Sequence, residues 1–187
     1  MKKIPLIVLA CIMVLTSFAQ KLPKAYQDTI VWKEGFLLKK EDFKAKPKPN
    51  IPIQTGTAMF VFTKEANGTI IFVVQAVFYR NVSFMKAGLE YTLKHEQNNF
   101  DLCELYARKL RKQIATKNFI KSKNIRADLT EMYNDENNDY IKERTKYEKD
   151  TEYGLNIAKQ QVWNERIVKE LAELTAYISS EVQVMAK

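Results

Sequence analysis

The sequence is poor in the residues that most often build catalytic centres. It holds one histidine, His95, and two cysteines, Cys11 and Cys103. A centre built from several imidazoles is therefore excluded. The five glycines (Gly35, Gly56, Gly68, Gly88, Gly154) are scattered and form no phosphate-cradling loop. All five prolines lie at or before Pro52, so nothing later in the chain forbids long helices.

The start of the chain reads as an export signal. Lys2 and Lys3 precede an almost wholly apolar run from Ile4 to Leu15, and Ser17-Phe18-Ala19 offers small residues for cleavage after Ala19. The run is too short to span a membrane. Val8-Leu9-Ala10-Cys11 loosely resembles a lipoprotein box, but the apolar run continues past Cys11, which favours simple cleavage over lipid anchoring. The expectation is an exported bacterial protein, periplasmic or extracellular, with residues 1–19 as signal peptide and 20–187 as one domain.

Cleavage removes 19 of the 187 residues and two of the 30 basic ones. That leaves 168 residues, with 28 basic against 22 acidic side chains and a net charge of about +6. The basic residues are interleaved with acids and form no arginine–aromatic block, so no nucleic-acid partner is expected. An envelope-associated protein or peptide partner stays open, with no transmembrane anchor. Cys103 remains alone after cleavage, so no internal disulfide forms.

Residues 20–35 form a weakly patterned arm, with Thr29-Ile30-Val31-Trp32 a short strand. Leu37 to Phe43 suggests a strand ending in a turn, and Lys46 to Pro52 an extended connector. Thr55–Thr63 and Thr69–Tyr79 read as a hairpin rich in β-branched and aromatic residues, turning at Glu65-Ala66-Asn67-Gly68. Ile70 to Val74 is continuously apolar, as in a central strand covered on both faces. The pattern then becomes helical over about Lys86–Lys117, Asn124–Glu148 and Leu155–Met185. This order predicts an α+β fold in which a small antiparallel sheet from the N-terminal half packs against long helices of the C-terminal half.

The candidate site lies in Leu93-Lys94-His95-Glu96-Gln97-Asn98-Asn99. His-Glu-x-x-His on a helix grips zinc with two imidazoles one turn apart, and the glutamate deprotonates a bound water. Here the fifth position is Asn99, which offers a neutral amide, so the motif is degenerate. With about 100° per residue and His95 at zero, Asn99 falls near 40° and Glu96 near 100°. Tyr91, Phe100, Leu102, Cys103, Tyr106 and Leu110 share that arc. His95, Glu96 and Asn99 should therefore point into the packed face, where unpaired polar groups cost about 1–3 kcal/mol each. Cys103, about two turns away, reads as a small core residue. Lys94, Asp101, Arg108 and Lys112 fall on the other side, with Glu104 and Arg111 near the border. The run Arg108-Lys109-Leu110-Arg111-Lys112 is expected to be a solvated face.

Lys94 to Arg108 resembles the H-E-Q-x-H-F-D-I-x-E-x-x-A-R signature of a bacterial exported family, domain of unknown function nine-two-two, which is zinc-peptidase-like. Three further pieces agree in order. Leu38 to Phe43 is similar to the family's L-x-W-x-D-F, and Ser83-Phe84-Met85-Lys86 to its S-W-V-K. Tyr147 to Gly154, followed by Gln160 and Trp163, is similar to its Y-D-x-x-T-x-H-G and Q-x-x-W. The resemblance implies a metal site of three histidines. This chain has His95 at one position, with Asn99 and Tyr153 at the other two. It keeps Glu96, the would-be general base. The expected function is then a metal-free binding or structural role, with no cofactor. The alternative is an active metallohydrolase with an altered shell, holding zinc through His95 with Glu96, Cys103 or acids from the second and third helices.

Overall fold

The computed structural model describes residues 27–66 and 69–184. The expected export segment with Cys11, residues 67–68 of the expected turn and the last three residues lie outside them. The fold is α+β, with the sheet drawn mainly from the N-terminal half and the helices from the C-terminal half.

Four antiparallel strands make the main sheet: β1 (Thr29–Val31), β3 (Thr57–Ala66), β4 (Thr69–Tyr79) and β6 (Glu181–Val184). The strand β4 has the bounds its composition suggested, and it pairs with all three others. Ile71 to Val74 are buried whichever face they point to, as a continuous apolar run in a central strand requires. A second, two-stranded sheet joins β2 (Ile53–Gln54) to β5 (Phe84–Met85).

Three helices follow: α1 (Leu93–Thr116), α2 (Ile125–Asp150) and α3 (Ile157–Glu173). Asn124 and Asn156 start α2 and α3, and each side chain accepts from the amide three residues on. The helix α1 is the central rod of the molecule. Phe78 of β4 meets Phe100 on its sheet side, while Tyr140 of α2 meets Tyr106.

The structure corrects several expectations. Leu37 to Phe43 is no strand; Lys40–Asp42 forms a single 3-10 turn in which Asp42 accepts from the Lys39 amide. The first helix starts at Leu93, because Phe84–Met85 is spent on β5 and Gly88 turns the chain at φ +83°. The third helix stops at Glu173. Val182 and Val184 alternate with exposed Glu181 and Gln183, a period of two that seats this segment on β4 instead.

The basic run on α1 is not a solvated face. Arg108 and Arg111 are each 2% exposed and close on Glu104, also 2% exposed. Arg111 reaches the Val74 and Tyr177 carbonyls, and Arg108 the Leu171 carbonyl. Arg108 also lies over the Trp32 ring, whose Nε1 donates to Asp101. Lys109 and Lys112 alone in that run keep outward positions. Tyr91, placed by phasing in the packed arc, is exposed because it lies in the 3-10 turn before the helix. Among the described residues no helix is long and apolar enough to cross a membrane.

Candidate functional site

The first turns of α1, the end of α2 and the first turn of α3 converge on His95. His95, Glu96 and Asn99 are together and buried, at 3%, 3% and 0% exposure, on the face that helical phasing assigned them. The imidazole is stacked on the Tyr147 ring, 4.7 Å between centroids and 16° from parallel. The backbone of Gly154 also approaches it, so close that a methyl group there would sit 3.0 Å from His95 Cγ.

Both ring nitrogens face side-chain oxygens. Nδ1 is 2.8 Å from Gln160 Oε1, and Nε2 is 3.0 Å from Glu148 Oε2. Only the imidazolium donates from both nitrogens at once. The electrostatics agree. Burial pushes the imidazole pKa down, but the Glu148 hydrogen bond and the charges of Glu96 and Glu148 outweigh it and hold the group above its ordinary value. Burial likewise works against the Glu148 carboxylate, yet its His95 partner leaves it below the usual range.

Glu96 is in a different state. Burial pushes its carboxyl up, against the opposing charge of His95. Thr55 Oγ1 and Asn99 Nδ2 both donate to its Oε2, and its Oε1 lies 4.0 Å from His95 Nε2. Asn99 Nδ2 also donates to Glu148 Oε1 at 2.9 Å. One amide thus ties the two carboxylates together. Arg144 closes the group from α2 by donating to the Thr55 carbonyl.

This donor set does not suit the zinc ion that the helix motif implies. Where a second imidazole lone pair would face the metal, Asn99 presents N–H, and the first imidazole has both nitrogens committed. Among the described residues, no group of three or more histidine, cysteine, aspartate or glutamate side chains is set to hold a metal ion. Tyr153 is not gathered into the buried cluster: its side chain is 65% exposed on a backbone at φ +56°. Cys103 is buried two turns along α1, where burial pushes its thiol up to about 12. It is a core residue, not a thiolate donor.

Four neighbours of the site are not singled out by the sequence as site residues. Tyr147 and Gln160 stood in the family-like string, and Tyr147 Oη donates to both the His95 carbonyl and Gln160 Oε1. Glu148 stood there too, as one of the acids of the second helix. Thr55 carried no signal, since only the fold brings it to Glu96.

Compared with protein-family models, curated proteins and solved structures, the chain matches none.

Proposed function

We propose that the chain is an exported, zinc-less relative of the zinc-peptidase-like family its signature resembles, serving as a binding or structural domain. The observation that carries this reading is the Asn99 amide, whose N–H group bonds both Glu96 and Glu148. A cation there would face an N–H donor. His95, held above its ordinary pKa beside Glu148, brings positive charge to the two carboxylates when it is protonated. Glu96, the would-be general base, is held by Thr55 and Asn99. Metal analysis of the purified full chain tests this: well under one zinc per chain is expected. Tight stoichiometric zinc, lost on chelation, would overturn it.

A second reading, an active metallohydrolase with altered ligands, draws on one observation. Asn99 Oδ1 is buried without a hydrogen-bond partner among the described residues, on the amide whose Nδ2 bonds both carboxylates. It requires that Glu96→Gln abolish a hydrolytic activity while leaving the fold intact.

A further inference from the structure

The end of the molecule around His95 carries large apolar side chains that the fold leaves outside. Leu37, Tyr91, Tyr153, Leu155 and Ile157 are each 65–73% exposed. Their surroundings place them at one end. The Leu38 amide donates to Gln97 Oε1, Tyr91 lies in the turn leading into α1, and Gly154 rests on the His95 ring. Ile157 opens the α3 turn that brings Gln160 to His95. Half of the ten large hydrophobic residues exposed in the described chain therefore cluster here. Singly exposed apolar residues are ordinary, but a group of them at one end marks a contact surface.

The turn that presents three of them is fixed. Glu152, Tyr153 and Gly154 adopt left-handed conformations in succession, at φ +50°, +56° and +88°. The Tyr153 amide donates to the Glu148 carbonyl, and the Asn156 amide to the Thr151 carbonyl, each at 2.9 Å. Two non-glycine residues in this region cost conformational energy, which the hydrogen bonds and the His95 contact offset. Tyr153 and Leu155 are thus displayed at little further ordering cost on binding.

The charge around these tips is mainly positive. Lys39, Lys94, Lys146, Lys149 and Lys159 are exposed there. Glu90 pairs with Lys40, and the exposed acids Glu41 and Glu152 are outnumbered by these five lysines. Aromatic and aliphatic tips interspersed with lysines fit the interface of an anionic bilayer, where the tips enter the headgroup boundary and the lysines stay at its surface. Two surface clefts lie away from these tips, along the start of α2 and between Tyr106 and Glu143.

We infer that the His95 end of the protein, led by Tyr153, Leu155 and Ile157, seats on an anionic lipid surface. The inference stands whether or not His95 holds a metal. The test is co-sedimentation of the full chain with vesicles of equimolar phosphatidylglycerol and phosphatidylcholine, beside vesicles of phosphatidylcholine alone. Binding should favour the anionic vesicles and weaken at moderate salt. Lys149→Glu/Lys159→Glu should lower partition roughly fivefold per lysine, and Leu155→Glu/Ile157→Glu about tenfold or more. Val168→Glu, equally exposed toward the other end of α3, should change nothing. All three sites are at the surface, and matching circular dichroism melts would show that folding is kept. Equal binding to both vesicles, or equal loss in all three variants, would overturn the inference. So would a dimer in analytical ultracentrifugation that the Leu155 and Ile157 changes abolish without altering vesicle binding.

Discussion

Gly154 packs so closely on His95 that a methyl group in place of its hydrogen would crowd the base of the imidazole. A Cβ there would approach His95 Cγ at 3.0 Å and Cβ at 3.1 Å, on a residue whose φ of +88° already disfavours any side chain. Gly154→Ala should therefore destabilise the fold by about 1–2 kcal/mol. Urea unfolding measures it directly. A variant as stable as the parent would mean that the turn does not rest on the ring.

His95 should titrate above its ordinary pKa of 6.5, since the Glu148 hydrogen bond and the two carboxylate charges outweigh burial. The chain has one histidine, so its proton resonance needs no assignment in an NMR titration. A midpoint below 6.5 would contradict the ion pair.

The same shifts set a pH dependence. The raised His95 value gives stability that is full below about 6.5 and fades as pH rises through the folded value. The lowered Glu148 value gives stability that is present above about 4.5 and fades as pH falls. Glu96, raised by burial, adds a loss on the alkaline side of 4.5. Unfolding free energy should thus decline from mildly acidic toward alkaline pH, and His95→Asn should flatten that decline. An unchanged slope in the variant would exclude His95 as its source.

Glu104 is enclosed by two guanidiniums, with Arg108 Nε at 3.0 Å and Arg111 Nη1 at 2.8 Å. Glu104→Gln leaves two buried cations without a countercharge and should cost about 3–5 kcal/mol. Lys112→Gln, on the outward side of the same helix, should stay within about 0.5 kcal/mol. Comparable effects in chemical denaturation would restore the picture of a solvated basic face.

The contrast between those two residues shows where reading the chain succeeds and fails. The strand β4 was legible to the residue because β-branched runs bounded by turn residues are local signals. So was the inward direction of His95, Glu96 and Asn99, because helical phase needs nothing beyond spacing. Phase could not show that α1 is covered by the sheet on one side and by two helices on the other. Arg108 and Arg111 consequently looked solvated. The segment after Glu173 fits a longer helix by sequence, because its two valines are too few to declare a period of two without the β4 edge beside them. Glu148 and Thr55 lie 53 and 41 residues from their partners His95 and Glu96. No local pattern spans such a separation.

Zinc analysis of the parent protein beside Asn99→His/Tyr153→His tests the central claim most directly. The double variant restores the two imidazoles that the family resemblance implies, one in place of the Asn99 amide and one on the turn that touches His95. The account predicts well under one zinc per chain in the parent and stoichiometric zinc in the variant. Stoichiometric zinc in the parent would contradict it, and zinc uptake by neither protein would contradict the assignment of positions 99 and 153 to a lost metal site.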